Sequence, residues 1–377
     1  MELPERRAPN SIRSAAVSAF HIPTAQPEES DGTATWNSTT LVIVELHAGN
    51  TGGLGFTYSD VTAAHLAQEL IRKEVLGKDP FAIPEIHSAL DREVRNMGRP
   101  GLVSTAISAI DTCLWDLKAR LLECSLLELL GQHRASIPAY GSGGFTSYSE
   151  RQLIDQLTGW AAEGIRFVKM KIGRHPADDI SRIRAVQKAL NGKAQIFVDA
   201  NGAYSRKQAL HQAEQFAAMG VAWFEEPVSS DDRIGLRLLV QRAPSTMDIA
   251  AGEYCYVLDD AQDLLNADAV DVLQADATRC GGISNFIKIA AACEMCHVPL
   301  SAHTAPSIHA ALCCSLAPAI HVEYFYDHAR IENMLFDGAM RPVNGNLQPD
   351  RSSLGMGLAL KTVDAEKFRV FSASDSR

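Results

Sequence analysis

The chain is 377 residues long, which at roughly 150 residues per domain fits two or three domains, or one barrel with an addition. Hydrophobic residues make up 46% and charged residues 21%, a balance that excludes wholesale disorder. With 35 basic against 45 acidic residues the net charge is -10; no basic tract invites nucleic acid or an anionic membrane, and no apolar run is long enough to span a bilayer.

The opening MELPERRAPN lacks the apolar stretch of an export signal, and the eight cysteines follow no disulfide framework. A cytoplasmic protein with free thiols is expected. Residues 1–60 read as strands and turns, with the β-rich TTLVIVEL (Thr39–Leu46) followed by TGGLGF (Thr51–Phe56). A helical stretch follows from Val61 to about Arg95. A second helix is marked by Ser104 as N-cap and by Ala106, Ile110, Leu114, Leu117 and Leu121 at helical spacing. This first third is α+β.

From Ile137 the pattern changes to short apolar runs alternating with helical stretches. The runs begin at Ile137, Phe167, Gln195, Val221, Asp248, Val270, Val298 and Ile320, and their starts are 22 to 30 residues apart. One strand plus one helix at that length is the repeat of a closed parallel barrel, with eight strands and seven intervening helices. The residues after Tyr326 are too many for one more helix and are expected to return to the first domain. GSGG (Gly141–Gly144) ends the first barrel strand and reads as a flexible rim loop rather than a phosphate cradle, since no G-K-[ST] follows.

Lys169, Lys171, Asp199, Glu225, Glu253, Asp276, His303 and Glu323 all fall in or at the C-terminal ends of these strands, the rim where barrel active sites are built. Ionisable groups in apolar runs are costly unless paired or metal-bound. Asp199, Glu225 and Glu253, from three successive strands, form a hard-oxygen set suited to Mg2+. Glu226 competes with Glu225, but adjacent strand residues face opposite ways and Glu225 is favoured. Lys169 and Lys171 lie two apart, about 6.6 Å along the strand, and so face one side. Their mutual repulsion, together with a nearby metal, is expected to lower their pKa values and prepare one as a neutral base. Asp276 and His303, on neighbouring strands, suit a carboxylate-oriented imidazole base. A divalent metal between two bases fits abstraction of a proton next to a carboxylate. Cys293-Glu294-Met295-Cys296 is a lone C-x-x-C without the partners of a zinc site, Cys313-Cys314 reads as helix packing, and His309 reads as structural.

The ordered series VKMKIG (Val168–Gly173), VDANGAY (Val198–Tyr204), WFEEP (Trp223–Pro227), AGE (Ala251–Glu253), QADATRCGGIS (Gln274–Ser284) and SAHTAP (Ser301–Pro306) resembles the mandelate racemase subgroup of the enolase superfamily over nearly the whole chain. The resemblance implies an α/β fold, a modified TIM barrel (β/α)7β with an α+β capping domain formed by the N- and C-terminal segments. The cap would take residues 1–133, the barrel 134–325, and the segment 326–377 would return to the cap. It implies one Mg2+ per subunit on Asp199, Glu225 and Glu253, with Lys171 as one base and His303, held by Asp276, as the other. Lys169, Asn201 and Glu323 would contact a small-molecule carboxylate substrate.

Dehydration of an aldonate or aldarate to a 2-keto-3-deoxy acid ranks first. Racemisation, epimerisation or cycloisomerisation of a 2-hydroxy or related acid comes second, and a non-catalytic metal-dependent binder third. Nucleic acid and membrane are not expected as partners. A homo-oligomer is expected, its size left open, with an octamer suggested by family analogy only. Substrate discrimination is expected from the cap, at His21–Gln26, Trp36 and Phe56–Ser59, where aromatic and hydroxyl side chains mix.

Overall fold

The computed structural model of the protein describes residues 11–376. Its N-terminal part is an antiparallel sheet with helices on one face. The strands Ile12–Pro23 (β1), Ser38–Ala48 (β2) and Thr51–Ser59 (β3) pair in sequence. The C-terminal strand Arg369–Ser376 adds to the free edge of β1, so both ends of the chain build this sheet.

Three helices cover the sheet. Val61–Leu70 (α1) is capped by Asp60, whose carboxylate accepts from the Thr62 amide at 2.8 Å. The helical stretch expected to reach Arg95 is divided: a π-turn at Ile71–Val75 follows α1, Gly77 takes φ +83°, and Ile83–Glu93 (α2) starts anew with Pro84 in its first turn. The helix Leu102–Leu121 (α3) begins after Gly101, not at Ser104. Ser104 lies inside it, where its hydroxyl donates to the Arg279 carbonyl at 2.6 Å and ties the cap to the barrel. α3 packs closely on β3 because Gly53 and Gly55 carry no side chain there; a Cβ at Gly53 would lie 2.5 Å from Leu117.

The barrel strands are Ile137–Gly143 (β4), Phe167–Lys171 (β5), Gln195–Asp199 (β6), Trp223–Glu225 (β7), Asp248–Ala251 (β8), Val272–Ala275 (β9), Leu300–Ala302 (β10) and Ala319–Phe325 (β11). All neighbours are parallel, and β11 pairs with β4 to close the ring. The helices between them run from Glu150–Ala162 (α4) to Pro306–Ser315 (α10). The fold is thus a (β/α)7β barrel with a cap built from both ends of the chain. Short strands with few β-residues before each polar rim residue suffice because the apolar positions bury against helices outside and against one another inside.

Gly141 and Gly143 are not in a flexible loop. They belong to β4, and α4 lies against them: a Cβ at Gly141 would sit 2.5 Å from the Trp160 ring. Of the C-x-x-C pair, Cys293 is buried and Cys296 exposed, while Cys313 and Cys314 are both buried in α10. Among the described residues no helix is long and apolar enough to cross a membrane.

The glycine contact is testable. Gly141→Ala forces a methyl into the fully buried β4–α4 interface, and urea unfolding should show a loss of about 1–3 kcal/mol; unchanged stability would refute this packing role.

Candidate active site

Strand register assembles the site. Lys171 is paired with Asp199, and Asp199 with Glu225, so three charged residues from β5, β6 and β7 stand side by side on the rim. One layer below, facing the same interior, are Lys169, Phe197 and Trp223. Phe197 and Trp223 stack at 5.0 Å, and with Tyr140 and His321 they fill the barrel beneath the rim. Trp223 also donates its Nε1–H to Glu225 Oε2 at 3.1 Å, so the plug fixes one rim carboxylate.

Oxygen atoms of Asp199, Glu225 and Glu253 lie within 4.8 Å of one another, all buried. This is a fit for a hard divalent cation, since three carboxylates at that spacing repel unless a positive charge joins them. Burial, reinforced by Asp199, pushes Glu225 up to about 8. Glu226 is buried at φ +37°, because β7 ends at Glu225 and strand alternation no longer governs the next residue. Its carboxyl is pushed well above the usual carboxylate range by burial first and then by Glu253 and Asp199. It therefore belongs to the same acidic cluster, although the close oxygen set contains Glu225.

Lys169 is fully buried, ion-paired with Asp199 at 3.1 Å, Glu323 at 2.9 Å and also Glu225. Lys171 pairs with Asp199 at 2.6 Å and reaches the cavity. These contacts oppose the expected lowering of the lysine pKa values. Burial does pull the Lys171 ammonium down, but Asp199, and further off Glu253 and Glu225, outweigh both burial and Lys169, and the net shift is upward. For Lys169 the carboxylates likewise win. A dication on the same carboxylates would withdraw much of that support from Lys171.

Across the cavity, His303 Nδ1–H donates to Asp276 Oδ2 at 2.9 Å, leaving Nε2 directed to the Glu253 carboxylate at 3.3 Å. Asp276 is itself fixed by Thr278, whose amide and hydroxyl both donate to Oδ1 at 2.7 Å, and by the Thr304 hydroxyl at 3.1 Å. Burial disfavours the imidazolium, but Glu253, Glu323 and Asp276 more than compensate and raise His303 to about 9. His309 is structural: Nε2 accepts from the Ala277 amide at 2.9 Å and Nδ1–H donates to the Thr304 carbonyl at 2.8 Å. Glu323 accepts from the Thr304 amide at 3.0 Å. Asn201, at φ +45°, donates its amide to Asp199 at 3.0 Å, while its buried side-chain oxygen has no hydrogen-bond partner.

Lys171, Asn201, Glu253, His303 and Glu323 line one cavity of about 540 Å³ roofed by the cap, a size usual for small-molecule sites. Of the cap positions expected to read the substrate, His21, Trp36, Tyr58 and Ser59 line it. Phe56 is turned into the core, stacked on Phe336 at 5.1 Å, and Thr57 is spent on the Thr278 carbonyl at 2.6 Å. Sequence reasoning missed Arg279, Asp327 and His328, which also line it. Their signals were present, three residues after Asp276 and two and three residues past the last barrel strand, positions where rim residues collect.

A capped (β/α)7β barrel with an acidic triad on successive strands, faced by a lysine pair and an imidazole–carboxylate pair, defines the enolase class of barrel proteins. Residues 152–365 match the enolase C-terminal domain-like family, and residues 16–131 match the mandelate racemase / muconate lactonizing enzyme N-terminal domain. The chain belongs to the mandelate racemase/muconate lactonizing enzyme family of the enolase superfamily. It is 33% identical to L-talarate/galactarate dehydratase of Salmonella typhimurium over 81% of this chain and 77% of that protein. That dehydratase, solved liganded with Mg and L-lyxarohydroxamate, superposes with a TM-score of 0.92 at 27% identity, covering 100% of this chain and 97% of the other. A 3,6-anhydro-alpha-L-galactonate cycloisomerase of Streptomyces coelicolor is 29% identical over 91% of this chain and 90% of that protein. A mandelate racemase/muconate lactonizing enzyme-like protein from Rubrobacter xylanophilus is 46% identical, with a TM-score of 0.91, over 96% of this chain and 100% of the other.

His321, in the aromatic plug, gives a pH prediction. Its Nδ1 meets the Ser301 hydroxyl at 2.8 Å, and burial, aided by Lys169, lowers its pKa from 6.5 to about 3. The folded state thus holds it neutral where the unfolded chain takes up a proton. Its contribution is complete above pH 6.5 and is lost as pH falls toward 3. Between pH 7.5 and pH 5, urea unfolding of His321→Gln should lose less stability than the parent, by about 2 kcal/mol; parallel losses in both would sink this assignment.

Proposed function

We propose that the protein dehydrates an acid sugar to a 2-keto-3-deoxy acid with the help of Mg2+, beginning with removal of the proton next to the carboxylate. The single observation that carries this reading is the placement of Lys171 and His303 on one cavity, each ending beside a carboxylate of the acidic triad. Mg2+ held by Asp199, Glu225 and Glu253 would supply the positive charge that makes the α-proton acidic. Lys169, beneath the triad, adds fixed positive charge at the same end. One of Lys171 and His303 takes the α-proton, and the other, as its acid, gives a proton to the departing β-hydroxyl. Asp276 keeps Nδ1 of His303 protonated, so Nε2 is the atom that exchanges protons with substrate. Asn201 and Glu323, which line the cavity, would contact the substrate.

A polyol substrate is supported by the roof, where Ser38, Thr39 and Thr40 line the cavity and Phe56 does not reach it. The relatives include both a dehydratase and a cycloisomerase, so isomerisation is the second reading.

Proton NMR in D2O with Mg2+, over a panel of aldonates and aldarates, should show loss of one α-proton signal with growth of methylene signals. Exchange without new methylene signals would favour isomerisation. Lys171→Ala and His303→Asn should each lower turnover by about 100- to 10,000-fold, and the variant lacking only the acid should still exchange the α-proton. Full turnover in both variants would overturn the assignment and favour a binding role.

A further inference from the structure

One sequence motif extends past the residues that the chemistry uses. QADATRCGGIS (Gln274–Ser284) supplies Asp276 to His303 and Arg279 to the cavity wall, then runs through Cys280, Gly281 and Gly282 into the helix Ile283–Cys296 (α9). The cap meets this loop with four polar side chains of α3. Ser104, Ser108, Asp111 and Trp115 are four, three and four residues apart and so share one helix face. The Ser104 hydroxyl donates to the Arg279 carbonyl at 2.6 Å. Ser108 accepts the Gly281 amide at 2.9 Å and donates to the Ser104 carbonyl at 2.8 Å. Asp111 accepts the Ser284 amide at 2.9 Å and the Ser284 hydroxyl at 2.6 Å, and the Trp115 indole N–H donates to that hydroxyl at 2.9 Å. Strand β3 adds Thr57, whose hydroxyl donates to the Thr278 carbonyl. Gly282, at φ +91°, gives the close approach room: a Cβ there would lie 2.4 Å from Asp111 Oδ1.

The loop carries this hold to the reacting end. The Arg279 and Cys280 amides both donate to the Asp276 carbonyl, at 2.9 and 2.8 Å, and Thr278 donates twice to the Asp276 carboxylate. That carboxylate accepts His303 Nδ1–H, while the Arg279 guanidinium donates to the Glu253 carbonyl at 3.0 Å. Ser104, Ser108 and Asp111 are all buried, so each bond is made away from water. Apolar contact alone would attach a cap. Directional bonds from one helix face to successive loop residues also fix where the loop stands.

We propose that this face of α3 is a positioning element for catalysis: by holding the loop 276–284, Ser104, Ser108, Asp111 and Trp115 set the Asp276–His303 pair and Arg279 in place. None of the four lines the cavity, so their effect on turnover passes through the loop and not through contact with substrate. The cap thus serves the barrel's chemistry from behind as well as roofing it. The inference rests on His303 being a proton-transfer group in the dehydration of an acid sugar.

The test uses the full-length protein with Mg2+ and the aldonate or aldarate that the parent chain dehydrates. Ser108→Ala leaves the Gly281 amide without its acceptor, and Trp115→Phe removes one bond to Ser284 while keeping an aromatic ring. Each should lower kcat by about tenfold or more with KM nearly unchanged, since a reacting group is displaced and no substrate contact is lost. Ile71→Val, in the buried cap core, is the control: it lowers the urea midpoint and should keep the parental kcat. Parental kcat in either folded variant overturns the positioning role and leaves the bonds structural. An equal loss of kcat in Ile71→Val overturns it too, because any weakening of the cap would then act alike. If Ser108→Ala does not fold, Trp115→Phe decides alone. Absence of α-proton exchange by the parent chain on every acid sugar removes the dehydration reading, and this inference with it.

Discussion

Six carboxyl groups, Asp199, Glu225, Glu226, Glu253, Asp276 and Glu323, are buried together at one end of the barrel, and the shape of the molecule answers to the cost of keeping them there. Buried like charges are tolerated only with countercharge, hydrogen bonds or a proton. Each device is used. Lys169 and Lys171 take Asp199, Glu225 and Glu323; His303 and Arg279 take Glu253 and Asp276; the Glu226 carboxyl is pushed toward the protonated form. The arrangement leaves a close oxygen set on three strands, which is where a divalent cation gains most.

Strand register and packing hold these groups in place. The parallel register sets Lys171, Asp199 and Glu225 abreast, and the aromatic plug below them keeps water out and anchors Glu225 through Trp223. From above, the cap closes the site through bonds that include Ser104 to Arg279, Thr57 to Thr278 and Trp36 to Asp327. These connect the roof to residues that neighbour or line the reacting end, so the same contacts that orient the cap also define the cavity.

The barrel was legible because its signal repeats: eight apolar runs at near-constant spacing, seven of them with an ionisable residue in or at the C-terminal end. The acidic triad, the lysine pair and the His303–Asp276 pair were legible for the same reason, since strand ends converge whatever the helices do. Less was legible where one residue's role depends on a distant partner. Ser104 looked like an N-cap because its true partners, the Tyr256 and Arg279 carbonyls, are far along the chain. Gly141 looked like a loop residue because Trp160, which needs the space, lies on the next helix. Glu226 looked outward-facing because alternation was extended one residue past the strand end. The lowering of the lysine pKa values was expected from Lys169–Lys171 repulsion and a nearby metal; the carboxylates around both ammonium groups pull the other way.

If the buried acids form a cation site, the cation must stabilise the fold. The most direct measurement is the Tm of the chelated protein with and without Mg2+ in large excess, for the parent chain and for Glu253→Gln. Binding to the native state alone raises stability by about 2.7 kcal/mol at a hundredfold excess over Kd, so the parent should gain several degrees and the variant little of that gain. An unchanged Tm in the parent, or an equal rise in Glu253→Gln, would contradict the account.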